Sequence, residues 1–197
     1  MKDIWYADNR DLAKWAILCH LADSFKVATI LQVAFYRISK FDQIVIDGHK
    51  RDLPPEVTAY FRNINNICGI KSKVQIEVFD LLFEDRQTYL QAVVKWLSGH
   101  QKEKLIIFLD PDTGLQPMRT KPNNEHILET ELKDIWTGLK HEDVFVLYQH
   151  KTNRRGEGWV EPKKKQFAKA IEVPTNMVKI AHGFEVASDI VLFYTQK

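Results

Sequence analysis

Two aspartates flank a proline in Asp110-Pro111-Asp112-Thr113-Gly114, directly after the apolar run Leu105 to Leu109. Proline stiffens the chain as it leaves that run, and glycine permits a tight turn or the close approach of a ligand. Paired carboxylates at such an edge have three uses: holding a divalent cation, accepting a hydrogen bond from an amino group, or moving a proton. The plainer alternative is a turn in which Asp112 bonds to nearby backbone.

A second set of candidates follows Val144 to Tyr148, where Gln149 and His150 lead into Lys151, Thr152, Asn153, Arg154 and Arg155. An imidazole at a strand end serves as general base, metal ligand or phosphate contact. Gln149 beside it offers a neutral amide to a substrate. Arg154 and Arg155, with Lys163, Lys164 and Lys165 further on, hold phosphate by charge-assisted hydrogen bonds or else form a solvated basic face. A third set lies in Tyr6 to Trp15, where Asp8 or Asn9 caps a helix and Lys14, one turn from Arg10 and Asp11, carries a charge toward substrate phosphate. Asp80 closes a strand-like run, a place where nucleotide-binding folds hold a ribose or base, and also an ordinary way for a loop to begin. The remaining histidines and the two cysteines, Cys19 and Cys68, are scattered without metal-ligand spacing, so no structural zinc site is expected. No Walker loop and no Gly-x-Ser-x-Gly elbow occurs.

These residues need elements to position them. Leu12, Trp15, Ala16 and Cys19 recur at helical intervals and predict a first amphipathic helix over Asp11 to Ala22. Ala28 to Phe35 is short and almost wholly apolar, as expected of a strand covered on both faces. Gln43 to Asp47 reads as a short strand, Asp47-Gly48 as a turn, and Pro54-Pro55 as the opening of a helix. Val74 to Val78 alternates as a strand and precedes a helix that carries Tyr89, Leu90, Val93, Val94 and Leu97 on one face. Leu105 to Leu109 is a second buried strand, and the helix after its Asp-Pro loop carries Ile127, Leu128, Ile135, Trp136 and Leu139. Val144 to Tyr148, a helix around Pro162 to Ile171, and strands near Met177 to Ala181 and Ile190 to Tyr194 complete the chain. Alternating strands and helices predict a doubly wound, mostly parallel α/β sheet of Rossmann-like type, spanning residues 1–197 as one domain and ending in an antiparallel hairpin.

Composition narrows the class. With 45% hydrophobic and 27% charged residues the chain has the balance of a globular protein. A net charge of +2 is too small to argue for nucleic acid by itself, so local clustering has to carry that case. The longest apolar runs fall far short of the roughly 20 residues that span a bilayer, so no membrane role is expected. Two cysteines and the absence of a secretory pattern predict a reducing cytoplasm.

The segments "YADNRDLAKWAILCHL", "IIFLDPDTGLQP", "ELKDIW" and "VLYQH" together resemble an uncharacterised bacterial family marked by Asp-Pro-Asp-[Thr/Asn]-Gly-Leu. The same order is distantly similar to the ribosomal RNA adenine-N6 methyltransferases, with Asn9, Asp11 and Lys14 matching their early Asn-His-Ala-Asp-x-x-Lys-His segment loosely and Asp110-Pro111 their Asp-Pro-Pro motif. That resemblance implies S-adenosylmethionine as cofactor, with Asp80 at its site, and a nucleic acid or nucleotide as partner. It gives Asp110 the task of accepting a hydrogen bond from the target amino group. The chain departs from the motif at Asp112 and Thr113, which replace a proline and an aromatic residue, and no glycine-rich turn follows Ile30 to Phe35. A metal-dependent phosphoesterase or nuclease using Asp110, Asp112 and His150, and a non-catalytic binding module on the same fold, are the alternative expectations.

Overall fold

The computed structural model describes residues 8–38, 41–70, 73–100, 103–118, 120–151 and 158–197. Helix α1 (Asn9–Phe25) begins where the Asp8 carboxylate accepts from the backbone N–H of Arg10 at 2.8 Å and of Asp11 at 3.0 Å. It ends where Lys26 turns left-handed and donates to the carbonyls of Ala22 and Asp23. Strand β1 (Thr29–Val33) follows and is buried along its whole length. An excursion then leaves the body of the fold. It consists of the hairpin β2 (Gln43–Ile46) and β3 (His49–Asp52), helix α2 (Pro55–Phe61) and a 3-10 segment at Ile64–Gly69. Asp47 and Gly48 both take positive φ, 51° and 79°, as the Asp-Gly turn requires.

The chain returns to the sheet as β4 (Gln75–Phe79), α3 (Arg86–Ser98) and β5 (Leu105–Leu109). Two short strands, β6 (Gly114–Leu115) and β7 (His126–Ile127), pair in parallel beside the main sheet. Helix α4 (Glu129–Gly138), β8 (Val144–His150), α5 (Val160–Ala170), β9 (Lys179–Ala181) and β10 (Ile190–Gln196) complete the chain. The central sheet has the order β4-β1-β5-β8-β10-β9. It is parallel from β4 to β8, and β10 runs antiparallel to both of its neighbours.

The side-chain alternation of β1 and β5 divides the core. Leu31, Val33, Ile107 and Leu109 face Tyr89 and Val93 of α3, Leu132 and Ile135 of α4, and Phe167 of α5. Ile30, Ile106 and Phe108 face Trp15, Leu18 and Leu21 of α1. Helices on both faces explain why β1 and β5 read as unbroken apolar runs. The face of α1 departs from the expectation: Leu12 is 61% exposed, whereas Asp11 and Lys14 are buried with Trp15 and Leu18. Two charged side chains point inward because a third charge waits there. Ile127, expected on a helix, lies in β7 instead, since its backbone neighbour is Leu115 and α4 starts only at Glu129.

Candidate active site

The carboxyl ends of β5 and β8 and the first turn of α1 enclose a cleft of about 300 Å³, walled chiefly by Arg10, Lys14, Asp110, Asp112, Tyr148 and His150. Asp110 sits at its floor with 1% of its surface exposed. The Lys14 ammonium donates to both Asp110 oxygens at 3.1 Å, and the Gln32 amide donates to Oδ2 at 2.9 Å. Asp11 completes the group at 2.5 Å from Lys14 Nζ, and the Tyr148 ring lies 4.8 Å from the same ammonium. Burial works against the Lys14 charge, but the carboxylates of Asp110 and Asp11 outweigh it and hold the lysine pKa well above its ordinary value. Burial likewise raises the Tyr148 phenol; Lys14 opposes that shift and Asp110 adds to it.

A buried cluster of two carboxylates and one ammonium is a poor way to stabilise a fold, because desolvation offsets most of the attraction. Its place at a strand end beside a cleft makes it the candidate site.

Asp112 faces a different cation. Its Oδ2 pairs with Nη2 of Arg37, which arrives from the loop after β1. Arg37 Nε is buried and makes no hydrogen bond among the described residues. Burial lowers the pKa of its guanidinium, and Glu125 opposes that shift. Arg37 also lines a second cleft of about 270 Å³ over the exits of β1 and β4, together with Tyr36, Leu82, Phe83 and Glu84. The Arg37–Asp112 pair therefore stands between two clefts.

His150 enters the first cleft from the end of β8. Its Nε2 lies 3.0 Å from Asp189 Oδ2, and Arg10 Nη2 donates to the same oxygen at 2.6 Å. The Arg10 hydrogen bond, with a smaller contribution from His150, draws the Asp189 pKa down against its partial burial. The same bond raises that of Arg10. Asp189 thus fixes the imidazole ring and a guanidinium at one wall.

Of the residues expected from sequence, Asp110, Asp112, Lys14 and His150 meet in this cleft. Lys14 is the counter-ion of Asp110 rather than a free phosphate contact, because both of its carboxylate partners are internal. Gln149 is fully buried and works inside the scaffold: Oε1 accepts from Leu115 N at 2.9 Å, and Nε2 donates to the carbonyls of Thr113 and His150. Asp80 stands at the exposed margin, where it accepts from Asn65 at 2.7 Å, and lines neither cleft. Arg154 and Arg155 lie outside the described residues. No group of three His, Cys, Asp or Glu side chains is placed to hold a metal ion among the described residues. Asp110 and Asp112, the expected metal ligands, each face a cation of their own.

Sequence reasoning missed Gln32, Arg37 and Asp189. A signal existed for the first, a polar residue in the middle of a fully buried strand.

Two neighbouring features carry predictions. Gly114 has φ of 95°, and a Cβ there would lie 2.5 Å from Gln149 Oε1. Gly114→Ala is therefore expected to lower stability by roughly 2–4 kcal/mol in urea unfolding, from overpacking and the lost bonds of Gln149. Lys163 of α5 donates to the carbonyl of Leu115 at 2.8 Å and to Gln166 Oε1 at 3.0 Å. Burial pushes its amine down to about 8 from an ordinary 10.5, with Glu129 opposing the shift. Above that folded value the unfolded chain holds the proton longer than the folded one, so stability rises with pH until the unfolded lysine also titrates. Unfolding measured at pH 7.5 and 9.5 is expected to show the wild type gaining stability relative to Lys163→Met. A constant difference between the two proteins would contradict this reading.

No family model, curated protein or solved structure matches the chain. No helix among the described residues is long and apolar enough to cross a membrane.

Proposed function

We propose that the chain is a methyltransferase-like enzyme acting on an amino group of a nucleotide or nucleic acid, with Asp110 as the acceptor that positions that group. The observation that carries this reading is Asp110 itself. It is a buried carboxylate, partnered by an ammonium and an amide, at the floor of a cleft at the carboxyl end of a central parallel strand. The sheet order supports it: a reversed last strand inserted between β8 and β9 is the ending typical of Rossmann-like methyltransferases.

The residues at the second cleft fit S-adenosylmethionine by their chemistry. Tyr36 offers aromatic surface for the adenine, Glu84 offers acceptors for ribose hydroxyls, and the buried Arg37 Nε is a donor suited to an anion such as the amino-acid carboxylate. Asp112 beside it suits the amino-acid ammonium. When bound, the cofactor supplies an electrophilic methyl group. Asp110 accepts a hydrogen bond from the substrate N–H, which orients the nitrogen lone pair away from the carboxylate. Lys14 and Gln32 hold Asp110 in place while it does so. His150, fixed by Asp189, takes the proton that the nitrogen releases. Arg10 stands on the same wall as a contact for substrate phosphate.

The test is calorimetric titration with S-adenosylmethionine. Saturable binding to the wild type that is lost in Arg37→Leu is the expected result. Absence of binding would overturn the reading and favour a binding module on this fold.

A further inference from the structure

Phe35 holds a backbone conformation that its side chain disfavours. Its φ is 48°, in the left-handed region that glycine enters freely and a bulky residue enters only under constraint. It stands two residues beyond the end of β1, at an exit where ligand-binding folds of this kind place a glycine-rich turn. A strained residue persists only where its neighbours over-determine it.

Those neighbours are in place. The Phe35 N–H donates to the Tyr89 hydroxyl at 2.9 Å, and both residues are almost wholly buried. The Phe35 ring meets Phe83 edge-on with centroids 5.3 Å apart and lies tilted against Tyr89 at the same spacing, while Phe83 and Tyr89 meet at 4.9 Å. Just past the turn, Tyr36 bridges to Leu82 and its carbonyl accepts from the Phe83 N–H at 2.8 Å.

The turn decides where the next two residues go. Tyr36 and Arg37 line the second cleft, and Arg37 reaches Asp112 at the exit of β5. An extended Phe35 would instead prolong β1, and the side chains after it would leave these positions. We infer that Phe35 and Tyr89 are positioning residues of the second cleft: the left-handed turn at Phe35, held by the Tyr89 hydroxyl, sets Tyr36 and Arg37 against the ligand. Neither Phe35 nor Tyr89 lines that cleft, so both act through Arg37 and Tyr36. The inference rests on the proposed function only in taking S-adenosylmethionine as the ligand.

Calorimetric titration of the full chain with S-adenosylmethionine, beside a ligand-free double-mutant cycle, tests the assignment. Tyr89→Phe keeps the ring and removes the acceptor, which leaves the buried Phe35 N–H unpaired and the turn less populated. Apparent affinity falls with that population, and a Kd about tenfold higher is expected. Leu97→Ala, about two turns along α3 in the same core, loosens packing without touching the turn and is expected to bind like the wild type. Phe35→Gly and Phe35→Ala lose the same ring, but only glycine enters the turn freely, so the glycine variant is expected to bind more tightly than the alanine one. The cycle combines Arg37→Leu with Asp112→Asn in urea unfolding, and most of the coupling between them is expected to vanish once Tyr89→Phe is added. Wild-type affinity in Tyr89→Phe, equal weakening by Leu97→Ala, the reverse order at Phe35, or a coupling unchanged by loss of the hydroxyl would each overturn the inference. A wild type that binds no S-adenosylmethionine would overturn the proposed function instead, and the cycle alone would then decide the role of Tyr89.

Discussion

Lys14→Met is expected to lower the unfolding free energy by about 3–5 kcal/mol. The reason is the environment of the cluster rather than the strength of one ion pair. Lys14, Asp11 and Asp110 expose 4%, 6% and 1% of their side chains, so water cannot replace the ammonium. Methionine fills the same length of the helix face and leaves two carboxylates facing each other in a low-dielectric pocket. Adding Asp11→Asn and Asp110→Asn removes the stranded charges, and the triple variant is expected to regain most of the loss. Urea unfolding followed by tryptophan fluorescence separates these cases, with Trp15 one residue from the substitution. A loss below about 1 kcal/mol for Lys14→Met would mean that the cluster behaves like an exposed pair.

Asp110→Asn is expected to reduce kcat by about 10²- to 10⁴-fold, the range associated with a lost acid-base or hydrogen-bonding group at the reacting atom. The substitution preserves shape and leaves Lys14 paired with Asp11, so the fold should tolerate it far better than Lys14→Met. Lys14 is a positioning residue by this account. Its loss should act through the placement of Asp110, and an activity defect in Lys14→Met without Asp110 displacement would have no explanation in the geometry. Asp112→Asn is expected to raise KM for the cofactor more than it lowers kcat, because Asp112 faces Arg37 rather than the floor of the cleft.

The parts of the fold that could be read from sequence are those governed by burial on two sides. Leu105 to Leu109 and Val144 to Tyr148 are unbroken apolar runs because helices cover both faces of the sheet there. The Asp47-Gly48 turn was legible because its backbone conformation selects those residue types. The buried face of helix α1 was legible only in part: Trp15 is buried as expected, but Leu12 is 61% exposed, because the charge of Asp110, 96 residues away from Lys14, turns the face that carries Asp11 and Lys14 inward. Asp189 was invisible for the same reason, since its partner Arg10 is 179 residues distant and nothing local sets it apart from a loop aspartate. The β6–β7 pair was equally hidden, because two residues at each end carry no periodicity to detect.

The central claim is that Asp110 directs transfer of a methyl group to an amino nitrogen in the cleft. The most direct measurement is incorporation of labelled methyl from S-adenosylmethionine into nucleotides, RNA and DNA by the wild type and Asp110→Asn. Incorporation by the wild type into at least one of these acceptors, with near-complete loss in the variant, is the expected result. Equal incorporation by both proteins, or none by a wild type supplied with all three acceptors, would contradict it.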